Sequence, residues 1–204
     1  DDARSLARFS LPSGALLSQH GQLDGTGEGL WAFEQACTLP PDREAARRFL
    51  PRAVTALDWI ERQRRSTREL GLDWPGLLPY ADPHDGELVR AQLLGSDAWS
   101  YAGCRAATAL ARIAGDRSLE QRALAAAAES RAAFVQALAR TRHPDVPPSW
   151  QGVGRDWGNA ATGYPTGVLP PDAPRLAALA SRMWAVAGNT GLASYGPADS
   201  LHSY

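Results

Sequence analysis

Residues Asp97 to Gly115 read DAWSYAGCRAATALARIAG, an amphipathic run whose aromatic residues Trp99 and Tyr101 lead into small residues and which stops at a glycine. The spacing Trp99, Tyr101, Cys104 repeats an earlier one, Trp31, Phe33, Ala36, in DGTGEGLWAFEQA (residues 24–36), as W-x-aromatic-x-x-small. In both places the run ends, and a second helix-like segment opens with Asp-Arg: Asp42 and Arg43 after the first, Asp116 and Arg117 after the second. Asp suits the N-cap, where its side chain accepts from the orphan N–H groups of the first turn. The pattern predicts a helical hairpin of several tens of residues, used more than once. Repeats of that size imply stacked or ring-closed helix pairs.

Outward from this stretch the rest of the chain follows the same plan. In REAARRFLPRAVTALDWIERQRR, residues Phe49, Leu50, Val54, Leu57 and Ile60 recur every three or four positions, the period of one buried helix face, with Pro51 inside the run. A third unit has Gly158 to Leu169 in the place of a first helix, although Gly163, Pro165 and Gly167 make it a poor helix former. APRLAALASRMWAVAG then follows Asp172 and begins with an early proline, a helix-start signature. Long loops rich in glycine and proline separate the units, one of them with a short hairpin expected around Asp85 and Gly86. The expected organisation is a single all-α domain over residues 1–204, with hairpins near 27–65, 96–142 and 156–188 and the approach to a fourth at 189–204.

Composition narrows the function classes. The 204 residues carry a formal net charge of -1, and all 21 basic residues are scattered arginines, so no basic field favours nucleic acid or an anionic bilayer. No apolar run reaches the roughly 20 residues of a membrane span. The chain opens at Asp1 without methionine or a signal peptide; a trimmed or partial polypeptide is expected, and no compartment is assigned. Cys37 and Cys104 lie beside alanines in helical windows and read as buried thiols. The histidines His20, His84, His143 and His202 are far apart, which argues against a metal site, and no cofactor is expected. Nor is DGTGEG a phosphate loop. No strand pattern precedes it, its glycines fall at 25, 27 and 29 rather than in GxGxxG, and Asp24 and Glu28 would repel a phosphate.

The succession DGTGEGLWAFEQ, ALDWIERQR, GLLP, GSDAWSYAGCRAA, ARIAGD, RDWGNAATGYPTGVLPPDAPR, GLASYG and LHSY resembles the six-hairpin glycosidases, (α/α)6 toroids of carbohydrate-active enzymes, over nearly the whole chain. The resemblance implies helical hairpins around a central axis, with sugar sites built from the loops that lead into the inner helices. About three hairpins are present, roughly half a ring, so the remainder is expected from a longer chain or from self-association.

If the first helix of each pair is an inner one, acids and indoles gather at one end of the ring. Asp24, Glu28 and Trp31 precede the first, Asp97 and Trp99 the second, Asp156 and Trp157 the third. Carboxylates bind sugar hydroxyls, and the apolar face of a pyranose stacks on aromatic rings. Glycosidic cleavage uses one protonated carboxyl and one carboxylate. The expected catalytic acids are Asp97 first, then Asp156 and Glu28; a helix cap, an ion pair with Arg155 and helix-dipole compensation are their respective structural roles otherwise. Substrate binding is expected of Asp24, Trp31, Trp99, Trp157 and Tyr164. Trp74 and Tyr80, beside the GLLP turn, either wall a cleft or pin a loop, while Trp59 and Trp184 are expected in the core.

The resulting expectation is a glycoside hydrolase, inverting by resemblance. A non-catalytic scaffold or carbohydrate-binding module is the alternative. An epimerase toroid ranks last, since those work through paired histidines.

Overall fold

The computed structural model describes residues 10–16, 20–38, 41–83, 89–156 and 158–187. Among these the chain is all-α, built of helical hairpins: α1 (Gly25–Thr38), α2 (Arg43–Glu69), α3 (Leu94–Ala114), α4 (Arg117–Arg140) and α5 (Pro174–Ala187), with a 3-10 turn at Gly158–Thr162. The expected fourth unit, the turn at Asp85 and Gly86, and Trp157 lie outside the described residues.

The predicted caps form. Asp42 accepts from the N–H of Ala45 at 2.9 Å, and Asp116 from that of Leu119 at 3.0 Å. Gly115 ends α3 in the left-handed conformation with φ 88°, and its N–H returns to the carbonyls of Ala111 and Arg112. Helix α2 runs through Pro51 without interruption.

Helix α3 is the hub. It packs on α1, α2 and α4 and on the 3-10 turn, whereas α2 and α4 lie farther apart and meet through side chains, Arg122 bonding Asp58 and Glu61. The main core lies between the first two hairpins, where Leu30, Phe33, Leu57, Ile60, Leu110 and Ala123 are buried and Phe33 stacks on Phe49 with centroids 4.6 Å apart. A second cluster joins Leu94, Phe134, Val146, Trp150, Val168 and Leu179 beneath the later loops and α5.

The glycine-rich entrance DGTGEG is helical from Gly25 onward. A Cβ at Gly27 would stand 2.1 Å from the carbonyl oxygen of Trp99, and one at Gly29 would meet the Leu16 side chain at 2.5 Å. Farther along α3, a Cβ at Gly95 would lie 2.6 Å from Gly158 Cα. Consecutive first elements thus meet backbone to backbone through glycines, and these glycines serve packing rather than approach to a ligand. The repeat itself closes across this contact: Trp31 and Trp99 occupy equivalent positions, and their rings meet edge to face at 5.9 Å.

Candidate functional site

A groove of about 320 Å³ opens where α1, α3 and the segment after the 3-10 turn converge. Helix α1 contributes Trp31, Glu34 and Gln35, and the 164–166 segment contributes Tyr164 and Thr166. Its floor is one face of α3, formed by Ala102, Arg105, Ala106 and Ala109 at helical spacing. Small residues there leave the space open. Tyr164 is 85% exposed and Trp31 is half-buried, so two aromatic side chains flank a floor of alanines with one guanidinium, Arg105, and one carboxylate, Glu34, on the α1 wall. Such a mixture of flat apolar walls and a few polar anchors suits a polyhydroxylated ring.

Upstream on α1, Asp24, Glu28, Trp31 and Gln35 follow one another at steps of three or four, so the acids continue the stripe that reaches the groove. The N–H of Glu28 donates to the carbonyl of Asp24 at 3.1 Å. Burial, with the charge of Asp24 as the lesser cause, pushes the Glu28 carboxyl up to about 7. It therefore holds a proton close to neutral pH, as a general acid must.

The other two acids have different surroundings. Asp97 does not stand at a helix entrance: α3 starts three residues earlier, at Leu94, and Asp97 is 4% exposed in its first turn. Its oxygens accept from the Leu78 N–H at 2.8 Å and from the Trp150 indole at 2.7 Å. Burial pushes it up to about 7 against the pull of these donors and of Arg64. Asp156 accepts from Asn159 at 2.7 Å and from Arg182, a residue of α5. Arg182 also binds Asp145, whose carboxylate is buried. None of the three acids Glu28, Asp97 and Asp156 lines the groove itself; Glu28 stands one turn before Trp31, which does.

Among the expected binding residues, Trp31 and Tyr164 line the groove, Trp99 supports Trp31, and Asp24 stands a turn before Glu28. Trp74 packs on Trp150 at 5.6 Å with Arg140 over its ring at 4.6 Å, and Tyr80 donates to Asp73 at 2.9 Å, so both pin the long loop. Trp59 is buried as expected, but Trp184 is 71% exposed on α5. Cys37 and Cys104 are buried free thiols, Cys104 pushed up to about 12 by burial and so unreactive. Sequence reading missed Glu34 and Arg105. The signal for Arg105 was its place in an otherwise alanine face of α3.

No protein-family model, curated protein or solved structure matches the chain. No helix among the described residues is long and apolar enough to cross a membrane.

Proposed function

We propose that the chain is a carbohydrate-active helical-hairpin protein, a glycoside hydrolase of the six-hairpin kind, with Glu28 as proton donor. The observation that carries this reading is the succession Asp24, Glu28, Trp31 along one side of α1, which leads from a carboxyl with a raised proton affinity into an aromatic-walled groove. In this role Trp31 and Tyr164 stack on the sugar, and Glu34 and Arg105 hold its hydroxyls. Glu28 gives its proton to the glycosidic oxygen as the bond to the anomeric carbon breaks. Asp24 adds its charge to the burial that keeps Glu28 protonated, and binds a hydroxyl. Since Asp97 and Asp156 are committed to protein donors, the carboxylate that activates water is assigned to the remaining hairpins of the ring, which a longer chain or a second copy supplies.

The same observations on Asp97 and Asp156 favour a second reading, a carbohydrate-binding scaffold without turnover. An epimerase is supported least: among the described residues His143 lies beside the carboxylate of Asp145.

The test is a panel of glycosides scored for reducing-sugar release, together with oligosaccharide titration followed by tryptophan fluorescence, on the wild type and on Trp31→Ala and Tyr164→Ala. Turnover supports the hydrolase. Saturable binding without turnover, lost in both variants, supports the scaffold. Binding that is absent, or unchanged in both variants, sinks the groove as a sugar site.

A further inference from the structure

Helices α2 and α4 hold equivalent places in the repeat: each is the second of its pair, and each follows an Asp cap with an arginine. Their solvent sides are unlike. Helix α2 exposes Arg48, Arg52, Arg62, Arg65 and Glu69, the charged face of an ordinary surface helix. Helix α4 exposes Gln121, Leu124, Ala128, Ala132, Val135 and Ala139 at steps of three and four, on the side opposite its buried Leu119, Ala123, Phe134 and Ala137. Leu124 is 57% and Val135 41% exposed, and no charged residue belongs to the stripe.

Charges elsewhere on α4 are engaged within the chain. Glu120 accepts from Arg112 at 2.7 Å, Arg122 binds Asp58 and Glu61, Arg131 donates to the Val168 carbonyl at 3.2 Å, and Arg140 lies over the Trp74 ring at 4.6 Å. A helix that is apolar on opposite sides is the pattern of one covered on both. The stripe offers no countercharge to an acidic or basic segment, so its partner is as apolar as itself. It is also complementary to its own antiparallel copy. With a two-fold axis at the level of Ser130, Leu124 of one copy faces Val135 of the other, Ala128 faces Ala132, and Gln121 faces Ala139. Large side chains then meet toward both ends, and alanines at the centre let the two backbones approach. At 1.5 Å per residue the stripe runs about 27 Å.

We propose that the solvent side of α4 is a homodimer interface, on which a second copy of the chain packs its own α4 antiparallel through Leu124 and Val135. One helix pair covers less than the roughly 800 Å² per partner of a standard interface, so a dissociation constant of about 10 to 100 μM is expected. The interface uses none of the residues that line the sugar groove and does not depend on that reading.

Sedimentation of the whole chain from about 1 μM to about 1 mM brackets that range. A rise from the mass of one chain toward that of two is expected as concentration increases. Leu124→Lys and Val135→Glu, both at exposed positions, should each weaken dimerisation about tenfold or more, because each places a charge against an apolar partner. Their thermal midpoints at the lowest concentration should match the wild type, which separates a lost interface from a lost fold. Leu124→Lys combined with Val135→Glu sets an ammonium against a carboxylate twice across the two-fold axis, so the double variant should recover most of the lost affinity. A monomer at every concentration overturns the proposal and leaves the stripe to a helix of some other chain. A dimer unaffected by either single substitution, or a double variant no better than the weaker single one, overturns it as well.

Discussion

The indole N–H of Trp150 donates to Oδ2 of Asp97 across 2.7 Å and, with the bond from the Leu94 N–H to the Pro148 carbonyl, ties the loop after α4 to the first turn of α3, 53 residues earlier. The other oxygen accepts from Leu78 in the loop after α2, so one buried carboxylate clamps two loops onto the hub helix. Asp97→Ala orphans both donors and is expected to destabilise by about 3 kcal/mol, while Asp97→Asn keeps an acceptor and loses less. Denaturant unfolding of the two variants checks the order.

A pH dependence follows from the same residue. Its folded pKa of about 7 lies above the ordinary 3.8, so the fold favours the protonated form. That contribution is complete below about pH 4 and is lost as pH rises through about 7. Glu28, raised for the same main reason, acts in the same direction, so the wild type minus Asp97→Asn difference in stability isolates Asp97. The difference should shrink steadily between pH 4 and 7. A difference that grows over this range would show that the carboxylate is stabilised as the anion.

Gly27→Ala tests the glycine contact between α1 and α3. Intrinsic propensity favours alanine inside a helix by about 1 kcal/mol. Steric conflict opposes it, because the new methyl would stand 2.1 Å from the Trp99 carbonyl oxygen, a backbone atom that cannot rotate away. Net destabilisation of about 1 to 3 kcal/mol is expected, measured by urea unfolding. Stabilisation would mean that the helices are free to part.

Arg182 joins α5 to the preceding loop by bridging Asp145 and Asp156. For Asp145, burial alone would raise the proton affinity, but hydrogen bonds and charge from Arg182, aided by His143, more than reverse it. Arg182→Gln leaves that buried carboxylate without its main partner, at a cost of about 2 to 3 kcal/mol, less than a fully buried pair because Arg182 is partly exposed. Amide exchange across Pro174–Ala187 should quicken more than in α3. Asp145 is held below the usual carboxylate range, so its contribution is kept above about pH 4 and fades as pH falls below that.

Local signals were readable and distant ones were not. Asp42, Asp116 and Gly115 act on N–H and carbonyl groups within four residues, so their caps could be recognised from spacing alone. The glycines of DGTGEG are poor helix formers, and their place inside α1 goes with a tight crossing against residues some 70 positions away, which no local pattern shows. Gly158 to Thr162 reaches only a 3-10 turn, in keeping with the glycines and proline that follow it. For the site, Trp31 and Tyr164 were found from their residue types, but the fates of Asp97 and Asp156 depend on Trp150, Leu78 and Arg182, which no short-range pattern connects to them.

Glu28→Gln separates the proposed acid from a merely structural one. Glutamine keeps the shape and hydrogen-bonding reach of the side chain but cannot deliver the proton, so sugar release should fall by a factor of about 100 to 10,000. Stability at pH 7 should change little, because a carboxyl with a pKa of about 7 is half protonated there and gives up little on becoming an amide. The wild-type pH profile should lose activity on its alkaline limb near 7 as Glu28 ionises. Substrates with very acidic leaving groups need no proton, and on them the variant should recover much of its rate. An equal loss on both substrate classes, accompanied by a lower thermal midpoint, would assign Glu28 to packing at the α1 entrance and remove it from the chemistry.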